Sequence, residues 1–228
     1  MDNNLEEMKN DVQQTQSENI QQTVNNELKE EVRDRSKEIL GKPTSQQVET
    51  LFLECRDVFW KKLQDYGSSW RILRPKSVTD QLFIKAGRIR NIEEIGDQKI
   101  DDDIRSEFQG IVNYGIIALI QLELNYSDYD DLRPEQAIEK YDKYYSIAIS
   151  LLTNKNHDYS EAWRRMRVSS YTDFILVKLN RIKGIEDNHG KTLISEGIES
   201  NYLDIINYAM FGLIKLTEEA ERNDAIAE

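Results

Sequence analysis

Cysteine, proline, glycine and long apolar runs are all scarce in this chain of 228 residues, and each scarcity excludes something. The one cysteine, Cys55, cannot form an intrachain disulfide, which fits a reducing cytoplasm. Its setting, LFLECRDVFW, is that of a packed helical residue rather than a nucleophile. With 3 Pro and 10 Gly over this length, helices are favoured over a turn-rich β fold. No apolar run approaches the roughly 20 residues that span a bilayer, so no membrane partner is expected. The opening MDNNLEEMKNDVQQTQ has no basic stretch followed by an apolar one, so no secretory signal is expected. Cations are in deficit too: 30 Lys and Arg face 42 Asp and Glu, a net charge of −12. General affinity for duplex DNA needs many cations to displace condensed counterions and is not expected. Free nucleotides remain compatible, because carboxylates hold the metal and only a few cations touch phosphate.

Familiar catalytic signatures are also missing. There is no Gly-x-Ser-x-Gly elbow and no Cys/His nucleophile pair. The two histidines, His157 and His189, have no cysteine partners, so a zinc site is not expected. HGKT at 189–192 echoes the end of a phosphate-binding loop, but Ile185 stands where that motif needs its first Gly, and a helix rather than a strand precedes it.

Residues 1–43 are rich in Gln, Asn and Glu and hold no aromatic side chain. They read as a mostly disordered or partly helical acidic tail, with too few apolar groups to offset ordering entropy. From Pro43 the pattern changes. Val48, Leu51, Phe52, Cys55, Val58 and Phe59 recur at helical spacing, with Thr44 or Ser45 as the expected N-cap. Pro134 suits a first helical turn, and Tyr141, Tyr144, Tyr145, Ala148 and Leu152 form the next inward stripe.

The dominant feature is a repeat. DYGSSWRILR begins at Asp65 and DYSEAWRRMR at Asp158. Read forward without gaps from that pair, 13 of 30 positions are identical, against roughly two expected by chance. One extra residue in the second loop then brings EFQGIVNYGIIALIQL onto NYLDIINYAMFGLIKL. SVTD at 77–80 and SYTD at 170–173 read as openings of the middle helices. Three helices per unit, twice over, predict an all-α bundle with a pseudo-twofold axis, its units at 44–130 and 131–228. A further homo-oligomer is compatible with that symmetry.

Polar residues kept in both copies carry the functional expectations. Lys85 and Arg88, with Lys178 and Arg181, sit three apart on one helix face. Arg71, Arg74, Arg164 and Arg167 precede the same helices, whose starts favour anions. These eight cations read either as phosphate ligands, one cluster per unit, or as intramolecular ion pairs. Trp70 and Trp163 read either as base-stacking platforms or as core. Glu186, Glu107, Glu196, Glu199 and Asp204 read either as Mg2+ ligands or as solvated helix ends.

The two phrases DYGSSWRILRPKSVTDQLFIKAGRIRNIEE and NHDYSEAWRRMRVSSYTDFILVKLNRIKGIEDNHGKTLISEGI, with NYLDIINY, resemble the nucleotide modification associated domain family. The resemblance runs from about Val48 to Lys215. That family is grouped with the MazG-like all-α nucleoside triphosphate pyrophosphohydrolases. The resemblance implies an all-helical protein and Mg2+-dependent cleavage of a nucleotide between its α and β phosphates. The enzymes carry Glu-x-x-Glu on one helix and Glu-x-x-Asp on the next. Here the middle helix has Lys-x-x-Arg, and the last has Glu107-x-x-Gly110 in one unit and Asn201-x-x-Asp204 in the other. Two outcomes stay open. In one, Asp204, Glu186 and Glu196 are catalytic and Asp204, Glu186, Glu199 and Glu107 supply Mg2+ ligands. In the other, the chain is a catalytically inactive module that binds a nucleotide, another phosphate-bearing small molecule or a protein.

Overall fold

The computed structural model describes residues 39–96, 103–192, 194 and 196–227. The first unit holds α1 (Thr44–Tyr66), a 3-10 turn (Ser69–Ile72), α2 (Pro75–Ile95) and α3 (Ile104–Leu124). The second repeats the series with α4 (Pro134–Tyr159), a 3-10 turn (Ala162–Arg165), α5 (Val168–Asp187) and α6 (Ile198–Ala227). No strand occurs among the described residues, as the sequence predicts.

Local chemistry sets the helix ends. Pro75 and Pro134 occupy first-turn positions, where the missing N–H costs nothing. Asp103 caps α3 by accepting the Ser106 N–H at 2.7 Å. Gly96 ends α2 in the left-handed region, φ 69°. Two expectations need correction. The N-cap of α1 is Pro43, and Thr44 is already helical. The middle helices start before Ser77 and Ser170, at Pro75 and Val168, with Arg74 and Arg167 as N-caps. The proline ring in one copy and a β-branched residue in the other accept the first helical position, so the serines fall inside the first turn. Most of the expected tail, 1–38, lies outside the described residues. Its last residues do not: Ile39 is fully buried, and its carbonyl accepts from Gln47 at 2.8 Å.

Packing follows the repeat. α3 packs on α6, and α2 on α5, each helix meeting its own counterpart across the pseudo-twofold axis. α1 and α4 flank this centre and also touch each other. α3 is apolar nearly all round, with Phe108, Ile111, Val112, Ile116 and Ile120 buried, as a central helix must be. Its approach to α6 depends on Gly115, because a Cβ there would stand 2.6 Å from Ile206 Cγ1. The α2–α5 seam is sewn by equivalent ion pairs: Arg90 with Asp173, and Lys183 with Asp80 at 2.8 Å. No helix among the described residues is long and apolar enough to cross a membrane.

Candidate functional site

Each unit folds a pocket between its first helix, its 3-10 turn and its last helix. The first, about 500 Å3, is lined by Lys62 and Tyr66 of α1, Trp70 of the turn, Lys85 of α2, and Glu107, Gly110, Asn113 and Tyr114 of α3. The second, about 300 Å3, is lined by Lys155, Asn156 and Tyr159 of α4, Trp163 of the turn, and Asp204, Asn207 and Tyr208 of α6. The pairs Lys62/Lys155, Tyr66/Tyr159, Trp70/Trp163, Asn113/Asn207 and Tyr114/Tyr208 are related by the repeat. The molecule therefore carries one hollow twice.

The 3-10 turns that form the pocket walls are anchored alike. Gln121 Nε2 donates to the carbonyls of Arg71, at 3.2 Å, and Leu73. Lys215, its counterpart, donates to those of Arg164, at 3.4 Å, and Met166. Behind these contacts lie Arg71 and Arg164. Arg71 is 2 % exposed and grips Asp131 through two nitrogens, at 2.7 and 3.2 Å, while its third nitrogen reaches Gln121 and the Asn125 carbonyl. Arg164 binds Glu161 at 2.7 Å, Glu218 at 2.8 Å, Thr44 and Gln47. Both hold the fold together through fork-shaped contacts that suit guanidinium. Arg74 and Arg167 are exposed at the N-caps of α2 and α5.

The remaining cations meet acids of the last helices. In the first unit Lys85 lies 3.1 Å from Glu107 Oε2, and Arg88 binds Oε1 of the same carboxylate. In the second, Asp204 receives Lys178 and Lys155. Burial pushes the Asp204 carboxyl up, but the two lysine hydrogen bonds outweigh it and leave it below its ordinary value. Asp204 is the counterpart of Gly110, and Asn201 of Glu107, so the acid has slid one helical turn between copies. The slide changes which cation is left over. In the first unit it is Lys62, and in the second Arg181, neither of which has an ion-pair partner among the described residues. Arg181 borders a separate surface hollow with Lys191 and Glu196.

The predicted cation clusters are thus not gathered: Arg71 and Arg164 belong to the fold, and the lysines and Arg88 to ion pairs. The predicted Mg2+ ligands are not brought together either. Glu107 and Asp204 serve opposite units, each with cations on both oxygens. Glu186 accepts from Thr79 across the pseudo-twofold at 2.8 Å, and burial raises its carboxyl above the ordinary range. Glu196 and Glu199 are exposed near the start of α6. Among the described residues no group of three or more His, Cys, Asp or Glu side chains is placed to hold a metal ion. With Glu107 and Asp204 each engaging cations on both oxygens, these residues do not fit a resident Mg2+.

Trp163 is core, 6 % exposed and stacked 4.5 Å from the Phe211 ring, with the Arg164 guanidinium 4.4 Å from the Trp163 ring centroid. Trp70 packs on the core through Phe59 yet also faces its pocket. The pocket lysines Lys62 and Lys155 were not among the predicted site residues. Their signal lies three positions upstream of Asp65 and Asp158, at the same offset of 93.

No curated protein and no solved structure matches the chain. One family model, nucleotide modification associated domain 1, matches it twice, over residues 62–122 and 155–216. Each match starts at or beside the pocket lysine of α1 or α4 and ends near the residue that anchors the 3-10 turn. The chain belongs to the nucleotide modification associated domain 1 family and carries two copies of that domain in tandem.

Proposed function

We propose that this protein binds a nucleotide, or another phosphate-bearing small molecule with a ring, in the repeated pocket. The observation that carries the reading is the set of lining residues kept in both units: a lysine from the first helix, a tyrosine, a tryptophan, and an Asn-Tyr pair. Lysine supplies a mobile point charge for phosphate, and the aromatic side chains supply flat faces for a ring. The first pocket, about 500 Å3, lies within the range of small-molecule sites.

Binding without hydrolysis is the reading we favour over a Mg2+-dependent pyrophosphohydrolase. The support is the placement of the carboxylates, since Glu107 and Asp204 both neutralise cations and stand in different units. A panel of nucleotides separates the two by thermal shift and by pyrophosphate release in the presence of Mg2+. Binding raises the melting temperature, because the ligand adds stability only to the folded state. Pyrophosphate release that Asp204→Ala abolishes would overturn the non-catalytic reading. A panel without any shift would remove the nucleotide.

A further inference from the structure

We infer that the first pocket is a receptor for the acidic group of a small molecule, and that Asp204 is the protein's own stand-in for that group in the second pocket. The inference deepens the ligand-binding reading above and rests on it only for the nature of the attached ring.

The two pockets keep the same donors but not the same acceptors. In the second, the Asp204 carboxylate bridges Lys155 and Lys178, and Asn156 accepts from the Trp163 indole at 2.8 Å. At the equivalent places the first pocket has Gly110 and Leu63. Lys62, the counterpart of Lys155, is left with no carboxylate among the described residues. The indole nitrogen of Trp70 is shielded from water and finds no acceptor among them. Glu107 also borders this pocket, but Lys85 and Arg88 engage both of its oxygens.

Both vacated positions carry a cost. A buried N–H is left without an acceptor, and glycine stands inside a helix where alanine would be favoured. Gly110 leaves room that Lys85 crosses: a Cβ at 110 would meet Lys85 Cε at 2.9 Å and Nζ at 3.0 Å. An anion entering over Gly110 would meet Lys62 and Lys85 as Asp204 meets Lys155 and Lys178, and would give the Trp70 indole an acceptor. The larger volume of the first pocket, about 500 against 300 Å3, fits an external occupant there and an internal one in the second.

The test is titration calorimetry on the full chain with two probes, inorganic pyrophosphate and ADP, for wild type, Gly110→Asp, Lys62→Ala and Asp204→Gly. Circular dichroism confirms that each is folded. Gly110→Asp places a carboxylate against the flexible end of Lys85, and Lys62 is exposed, so neither change burdens the core. Wild type is expected to bind one probe molecule per chain. Gly110→Asp and Lys62→Ala are each expected to weaken that binding about tenfold or more. Asp204→Gly is expected to add a second binding event. ADP or pyrophosphate binding that Gly110→Asp and Lys62→Ala leave unchanged would overturn the inference while the nucleotide reading stands. Pyrophosphate binding that these variants abolish, with no binding of ADP, would uphold the inference and remove the nucleotide. A single binding event in Asp204→Gly would overturn the role given to Asp204, and no binding of either probe would overturn both readings.

Discussion

Thr79 donates its hydroxyl proton to Glu186 across the pseudo-twofold axis, at 2.8 Å, and Thr172 does the same for Glu93 at 3.1 Å. The two bonds are one contact seen twice, at opposite ends of the α2–α5 seam. Burial raises both carboxyls above their ordinary value, and the threonine hydrogen bond offsets this only in part. The seam therefore keeps two acids that resist ionisation, close to like charges at Asp80 and Asp187 around Glu186 and at Asp173 around Glu93.

Glu186→Gln is expected to be at least as stable as wild type at neutral pH. A carboxyl whose folded pKa is raised adds stability fully below its unfolded pKa, 4.5 here, and loses it as pH rises through the folded value. Glutamine keeps the acceptor for Thr79 and avoids the buried charge. Urea denaturation at pH 4 and pH 8 checks this: the variant should gain on wild type as pH rises. A variant less stable at pH 8 than at pH 4, relative to wild type, would show that the ionised form is the better partner.

Asp204→Asn is expected to cost about 2 kcal/mol at pH 7. Breaking a fully buried pair costs about 3–5 kcal/mol, and the figure is reduced because Lys155 is 42 % exposed. The sign with pH is opposite to that of Glu186. A lowered carboxyl contributes above its unfolded pKa, 3.8, and the contribution is lost as pH falls through the folded value. The gap between wild type and variant should therefore close in acid, as measured by the urea midpoint from pH 7 down to pH 2.

Arginines that look alike in the sequence should separate sharply. Arg71→Met leaves the buried Gln121 and the solvent-facing Asp131 without their donor and is expected to cost about 2 kcal/mol, discounted for the exposure of Asp131. Arg74→Ala and Arg167→Ala remove exposed side chains and should stay within about 0.5 kcal/mol of wild type. Chemical denaturation of the three variants side by side checks the order.

Lys215 and Gln121 do the same task with different chemistry. Lys215→Gln should keep the turn carbonyls of Arg164 and Met166 satisfied and cost less than about 1 kcal/mol, whereas Lys215→Met should cost about 1–3 kcal/mol. Thermal melts of both decide it. Equal losses would mean that the charge of Lys215, and not its hydrogen bonds, holds the turn.

Cys55 is fully buried, and burial pushes its thiol up to about 12. A thiol reagent at pH 8 should leave the native protein unlabelled and modify one cysteine per chain once denaturant unfolds it.

The sequence alone determined the all-helical class, the tandem duplication and the family, because apolar spacing and a constant offset of about 93 are local patterns that survive without coordinates. It placed Pro134 in a first helical turn, since first-turn chemistry is local too. It also singled out Trp70, Trp163, Lys85 and Lys178, which reach the two pockets or their ion pairs. Only the tertiary structure decided what each charge does. Arg71 and Arg74 are three residues apart, yet one is buried against the loop after α3 and the other faces solvent. Glu107 and Asp204 stand one helical turn apart in register on equivalent helices, yet they serve different units and leave different cations uncovered. Charge pairing depends on which helices meet and at which turn, and a one-turn slide of a carboxylate, about 5.4 Å along a helix, is enough to redirect it.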